Sequence, residues 1–152
     1  MKHVRKSVLL WYSPREMYEL VTGVDRYPEF LPWCARSQVL EQHDDGITAR
    51  IHLAFKGVQH AFTTRNVHVK DESVMVSLVD GPFSRLEGAW LFRKIGRPGH
   101  DAEQQACKIE FDLAYAFASR PLESVVSPVF DRIANSFVDA FVMRAEEVYG
   151  VC

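Results

Sequence analysis

From Pro121 to Tyr149 the apolar side chains Val126, Val129, Phe130, Ile133, Phe137, Phe141, Ala145 and Val148 mostly recur every three or four positions. That is the period of a helix with one greasy face. Glu123, Asp131, Arg132, Asp139, Arg144, Glu146 and Glu147 supply much of its polar remainder. One unbroken helix here would be about 40 Å long at roughly 1.5 Å per residue. Pro128 falls about two turns in, where it would either kink the helix or begin its rigid part after a short turn. Between Cys34 and Phe117 the period changes to two. Ile47, Ala49, Ile51, Leu53 and Phe55 share one face of a strand, and Thr48, Arg50, His52 and Lys56 share the other. Such alternation predicts one buried and one wet face.

The other strands follow the same rule. An Asp45-Gly46 turn signals a hairpin. Over Val58–Val69, His60, Phe62, Thr64 and Asn66 share a face before the apolar set moves to Val67 and Val69. That slip predicts a bulge and an unusually polar inner face. Val74, Val76 and Leu78 alternate with Met75, Ser77 and Val79, and Asp80-Gly81-Pro82 is a firm break. Leu86, Trp90 and Phe92 then face one way, with Arg85, Glu87 and Ala89 mostly on the other. Residues 95–105 read as the longest loop. The last strand points Cys107, Ile109, Phe111, Leu113, Tyr115 and Phe117 inward and Lys108, Glu110 and Asp112 outward.

Ahead of these strands, residues 3–12 read as a first strand. Ser13, Pro14 and Glu16 form a capping box that starts a helix, which Gly23 ends. A second short helix or turn covers Asp25–Phe30. Pro28 and Pro32 forbid a regular element nearby. Tyr27, Phe30, Leu31 and Trp33 on this connector must therefore either plug a core or form a sticky lip for a membrane or partner. The order strand, helix, short helix, six strands, long helix predicts an α+β fold. Its curved antiparallel sheet of six or seven strands wraps a long C-terminal helix, with two short helices after the first strand. The interior is then either a solid core or a tunnel.

Composition narrows the classes. The chain has 152 residues and reads as one domain, residues 1–152. Hydrophobic content is 47% and charged content 25%, which argues against disorder. The net charge of -2 hides an imbalance, since residues 1–70 carry 10 basic and 7 acidic groups. That is too mild for a nucleic-acid signature, and no DNA partner is expected. Cys34, Cys107 and Cys152 are far apart and odd in number, so no disulfide framework is implied. No signal peptide or spanning segment is visible, so a cytoplasmic place is expected, peripheral at most to the inner face of a membrane.

Several motifs together carry a family resemblance: 27–34 (YPEFLPWC), 55–57 (FKG), 62–65 (FTTR), 78–83 (LVDGPF), Leu86-Glu87-Gly88-Ala89-Trp90 with Phe92, Pro128-Val129-Phe130, Phe141, and 144–150 (RAEEVYG). The sequence resembles, nearly end to end, the coenzyme-Q-binding protein family of the START-like, helix-grip superfamily. That superfamily includes polyketide cyclase-like proteins, and the family also holds bacterial proteins described as ribosome-association toxins. The resemblance implies a helix-grip fold with a lipid-sized hydrophobic cavity. It implies non-catalytic binding of a polyprenyl quinone, ubiquinone, in support of respiration. It equally admits a ribosome-binding protein that stops the subunits from joining.

On the quinone reading an apolar wall is needed, because an isoprenoid tail has no hydrogen bonds to offer. The candidates from the strands are Leu53, Phe55, Phe62, Leu78, Leu86, Trp90, Phe92, Phe111, Leu113 and Tyr115. The long helix adds Phe130, Ile133, Phe137 and Phe141. His60, Arg65, Asn66 and Arg85 are candidates for the headgroup, although alternation places His60 and Asn66 on a different face from Arg65. The lip at Tyr27–Trp33 would touch the membrane transiently. On the ribosome reading, Arg5, Lys6, Arg26, Arg36, Arg50, Lys56 and Arg65 would meet RNA phosphate. The third reading is a small cyclase-type enzyme. No GxSxG elbow, HExxH or Gly-rich phosphate loop appears. His60 and Asp80 are the one conceivable acid–base pair, and their ordinary roles are a polar strand residue and a turn former. No catalytic residue, metal or required cofactor is therefore expected, and the chain is expected to be monomeric or weakly associating.

Overall fold

A computed structural model describes residues 2–95 and 106–150. Strand β1 (Lys2–Leu10) leads into helix α1 (Pro14–Thr22) and a 3₁₀ turn (Val24–Glu29). Six strands follow: β2 (Cys34–His43), β3 (Gly46–Phe55), β4 (Val58–Val69), β5 (Ser73–Asp80), β6 (Phe83–Ile95) and β7 (Ala106–Phe117). Helix α2 (Arg120–Tyr149) comes last. The predicted loop at 96–105 and Cys152 lie outside the described residues.

The strands form one antiparallel sheet in the order β1-β7-β6-β5-β4-β3-β2. Consecutive hairpins make a meander, and β1 closes beside β7 with Val4 opposite Leu113. The sheet curves around α2, as the change of period from two to near 3.6 predicts. Inward positions of β7 are buried at Cys107, Ile109, Phe111 and Tyr115, and their α2 counterparts at Val126, Phe130, Ile133, Val138 and Phe141. The capping box forms in full: Glu16 N–H donates to Ser13 Oγ at 3.1 Å, and Ser13 N–H donates to Glu16 Oε1 at 2.8 Å.

Three local expectations change. The inward set of β4 does not move to Val67 and Val69, since Val69 is exposed. The irregularity lies earlier and on the partner strand. Thr63 pairs with Asp80 and Thr64 with Leu78, so Val79 is the extra residue, turned out to solvent. Helix α2 is a single helix that contains Pro128. Pro128 and Ser124 are both exposed, so the Ser124 carbonyl that loses its partner can bond to water. The connector is a plug and not a lip. Tyr27 is 5% exposed, Leu31 0% and Trp33 7%, while Phe30 is half-buried beneath the Arg144 guanidinium. Pro28 and Pro32 stay outside. Turn hydrogen bonds from Leu31 N–H to Tyr27 O and from Cys34 N–H to Leu31 O fold the chain so that its large side chains point inward.

Candidate functional site

Two aromatic clusters join α2 to the sheet. Near its first half, Phe130 meets Phe83 and Tyr115 with ring centroids 4.8 Å apart, and Phe62 at 6.4 Å. Further along, Phe137 meets Trp90 and Phe111 at 5.7 Å and Trp33 at 6.0 Å, and Phe141 meets Trp90 at 5.2 Å. Between the clusters the packing is interrupted. On β6 the inward position between Leu86 and Trp90 is Gly88, and on α2 the small residue Ala134 follows Ile133. A side chain at Gly88 would fill this space, its Cβ lying 3.3 Å from Leu113 Cδ1 and 3.7 Å from Val76 Cβ. The gap is a cavity of about 90 Å³, walled almost entirely by carbon.

Two polar side chains break the apolar wall, both on β4. Thr64 and Asn66 are buried at 3% and 7% exposure. The Thr64 hydroxyl donates to Asn66 Oδ1 at 2.9 Å. Asn66 Nδ2 has no hydrogen-bond partner among the described residues, so its two N–H groups are left to the cavity. The backbone around Asn66 is held from outside. Arg65 Nη1 donates to the Asn66 carbonyl at 2.6 Å, and Arg65 also pairs with Asp45. Gly46 makes that closeness feasible, because at its φ of 154° a Cβ would sit 1.9 Å from the Asn66 oxygen. The third polar atom is the Tyr27 hydroxyl, which donates to the Val21 carbonyl at 2.5 Å. Burial, then the neighbouring Cys34, pushes its pKa above the usual tyrosine value. No carboxylate, imidazole, ammonium or guanidinium lines the cavity among the described residues. Nor do those residues hold a group of three or more His, Cys, Asp or Glu side chains placed to bind a metal.

Of the expected wall, Phe62, Leu86, Trp90, Phe111, Leu113, Phe130, Ile133 and Phe137 line the cavity. Leu53, Phe92, Tyr115 and Phe141 are buried in the core away from it, and Phe55 and Leu78 pack half-buried on the core's margin. Asn66 is the one headgroup candidate in the cavity. His60 lies at the far end of β4, in a shallow groove with Arg36 and His52. Arg65 points outward to Asp45, and Arg85 is exposed and donates to Glu87 at 2.8 Å. Tyr27 and Trp33 close one end of the cavity, whereas Phe30 and Leu31 do not reach it. Sequence reasoning missed Val24, Ile51, Thr64, Val76, Gly88 and Ala134 as lining residues. The legible signal was Gly88, a glycine on the inward phase of a strand, which marks a place where something else approaches the backbone.

A polar clamp outside the cavity fastens the first half of α2. Lys2 Nζ donates to Asp131 Oδ2 at 2.5 Å and to Ser127 Oγ at 2.6 Å, and Tyr115 donates to Asp131 Oδ1 at 2.5 Å. Partial burial alone would raise the Asp131 pKa. The hydrogen bonds from Lys2, Tyr115 and Ser127, with the Lys2 charge, outweigh it and hold the carboxyl below its usual value. The other end of α2 is tied by Tyr12 donating to the Gly150 carbonyl at 2.7 Å and Tyr149 donating to the Glu16 carbonyl at 3.1 Å.

The family described as polyketide cyclase / dehydrase and lipid transport matches residues 10–142. The chain belongs to this family. Within the START-like superfamily, the Ribosome association toxin RatA of Pseudomonas aeruginosa is 41% identical over 148 residues, covering 97% of this chain and 98% of the relative. Coenzyme Q-binding protein COQ10 homolog B of Xenopus laevis is 29% identical over 146 residues, covering 95% of this chain and 58% of the relative. Among solved structures, the 18 kDa protein CC1736 from Caulobacter crescentus superposes with a TM-score of 0.71 at 31% identity. It covers 99% of this chain and 100% of that one. The resemblance read from the 27–34 connector and the inner-strand motifs therefore stands, and the match spans sheet, connector and helix alike.

Proposed function

We propose that this family member is a non-catalytic binder of an isoprenoid quinone, ubiquinone or a close relative. It would carry or shelter the quinone in support of respiration, with transient visits to the inner face of a membrane. The observation that carries this reading is the cavity between the sheet and α2, a largely apolar chamber with the Thr64–Asn66 pair in its wall. Burying apolar ligand surface there is favourable by roughly 25 cal/mol per Å², and a pair of amide N–H groups suits a quinone carbonyl. Among the described residues the lining holds no carboxylate or imidazole, which supports a binding role over a cyclase one. The similarity to a coenzyme Q-binding protein points the same way.

The cavity is small in this structure. An apolar cavity of about 150 Å³ takes one benzene, so about 90 Å³ holds no prenyl tail. On this reading loading requires α2 to part from the sheet, with the plug at Tyr27 and Trp33 and the clamp at Asp131 as the contacts that yield.

Trp33 and Trp90 line the cavity and report on it. Vesicles loaded with ubiquinone should quench their fluorescence in the wild type. They should quench it far less in Ala134→Leu, whose added atoms occupy the space. Absence of quenching by loaded vesicles over empty ones would overturn the reading.

A second reading is binding to a ribosomal subunit, supported by the 41% identity to a ribosome association toxin. Its best surface is the outer face of β2 and β3. Arg36 lies opposite His52 and Arg50 opposite Gln38, and neither arginine has a carboxylate partner among the described ion pairs. Salt-sensitive co-sedimentation with ribosomal subunits, lost on Arg36→Glu with Arg50→Glu, is the result this second reading requires.

A further inference from the structure

The outer face of the sheet, away from the cavity, carries a basic groove. On β3 the buried side chains are Ala49, Ile51 and Leu53, so Arg50 and His52 point outward. Arg36 of β2 stands opposite His52, with Nη2 3.4 Å from the imidazole Nε2. Arg50, one row along, donates from Nε to Thr63 Oγ1 at 3.2 Å. Beside them lies an open groove of about 590 Å³, with Arg36, His52, Gln59 and His60 along it and alanines between. No carboxylate lines it. The residues around His52 are Arg36 on β2, Arg50 on β3 and Ala61 opposite on β4, with Lys56 in the β3–β4 turn and His60 along the groove. The carboxylates of this part of the sheet belong to other rows. Glu41 lies 3.3 Å from His43, Asp44 is in the β2–β3 turn, Asp45 pairs with Arg65, and Asp80 stands opposite Thr63 on β5. From this arrangement we infer that the groove grips the phosphodiester backbone of single-stranded RNA, with Arg36 and Arg50 on a phosphate and His52 beside them as a proton-coupled third contact. The inference rests on the ribosome-subunit reading and deepens it, and it is independent of the quinone reading.

Charge and shape choose the occupant. Two guanidinium groups without carboxylates call for an anion, and arginine meets phosphate oxygens with a fork of parallel donors. None of the lining residues is an exposed large hydrophobe, so nothing in the groove would enter a bilayer, and a lipid surface is the poorer fit. The His52 and His60 rings and the guanidinium planes offer unstacked bases a surface to lie on. The groove is open, so a strand reaches it with no part of the fold moving.

His52 supplies the regulation. Partial burial, then the charges of Arg36 and Arg50, hold its pKa below the usual histidine value, so in the free protein it is neutral at neutral pH. A phosphate set among the three groups favours the imidazolium. By linkage, proton uptake then tightens binding. Affinity therefore rises as pH falls into and below the ordinary histidine range.

The test is fluorescence anisotropy of a short labelled oligouridine titrated with the full chain at low salt, at pH 8 and at pH 6. Neither uracil nor the phosphodiester titrates in this window, so a pH effect belongs to the protein. Wild-type affinity should rise at least about threefold at pH 6, within what one added charge contact confers. Folded His52→Gln should lose most of that rise. Arg36→Gln with Arg50→Gln should weaken binding at both pH values by at least about tenfold. No binding of oligouridine by the wild type, equal affinity at both pH values, or a rise undiminished in His52→Gln would overturn the inference. Capture by phosphatidylglycerol vesicles without oligouridine binding would assign the groove to a lipid surface and overturn it equally. Ribosomal subunits that still co-sediment with the wild type in any of these cases would leave the ribosome-subunit reading standing without this inference. Loss of co-sedimentation as well would remove that reading too.

Discussion

At the scale of single residues, the chain shows how much a side chain's neighbours decide. Ser13 and Glu16 are spaced three apart, and both reciprocal bonds form. Ser13→Ala should therefore lower stability by about 1 kcal/mol, read from a urea midpoint at unchanged slope. Asn66 and Arg65 are adjacent, yet one faces the cavity and the other the solvent-side carboxylate of Asp45. Alternation predicted that they part, with Asn66 on the face of Phe62 and Thr64. Thr64 was legible as an inward polar residue on β4. Its partner was not, because a hydrogen bond between positions two apart on one strand depends on side-chain rotamers that no pattern records. Gly88 and Ala134 are the harder case. A site made by missing atoms leaves a weak trace in a sequence, and the large aromatics around it draw the eye to the filled parts of the core.

Elements were easier to read than residues. The order of strands and helices follows from hydrophobic period, and every pairing in the sheet is antiparallel, as tight consecutive turns require. Where the reading slipped, a local competitor won. The bulge expected from the Val67–Val69 shift sits at Val79 on the neighbouring strand, since irregularity in a ladder belongs to both strands and periodicity reports only one. The connector at 27–34 buries its aromatics, because α2 supplies Phe141 at 5.4 Å from the Tyr27 ring and 5.1 Å from Phe30. Helix α2 owes its position to the sheet, and the clamp on Asp131 makes that attachment sensitive to acid. The carboxyl's folded pKa lies below its ordinary value, so its contribution is full above the ordinary carboxylate range and is lost as pH falls through the folded pKa. Urea titrations of wild type and Asp131→Asn should differ clearly at pH 7 and converge as pH falls below the ordinary carboxylate range. A difference that stays constant with pH would show that the carboxylate charge contributes nothing.

For the whole molecule, the fold is a sheet that grips a helix without filling the space between them. Two aromatic clusters flank a space left by two small residues, one on each layer. Gly88 on the sheet and Ala134 on the helix are the small residues that leave this interior unfilled. On the quinone reading the cavity also sets the scale of motion required, since the space is far smaller than a prenylated ligand. The central claim, that this space exists to hold an isoprenoid quinone, is tested most directly by gentle purification, organic extraction and mass spectrometry of wild type beside Ala134→Leu. The account predicts ubiquinone or a related isoprenoid quinone in near-stoichiometric amount from the wild type, and little from the folded variant. A wild-type extract free of quinone, with no uptake from quinone-loaded vesicles, would contradict it.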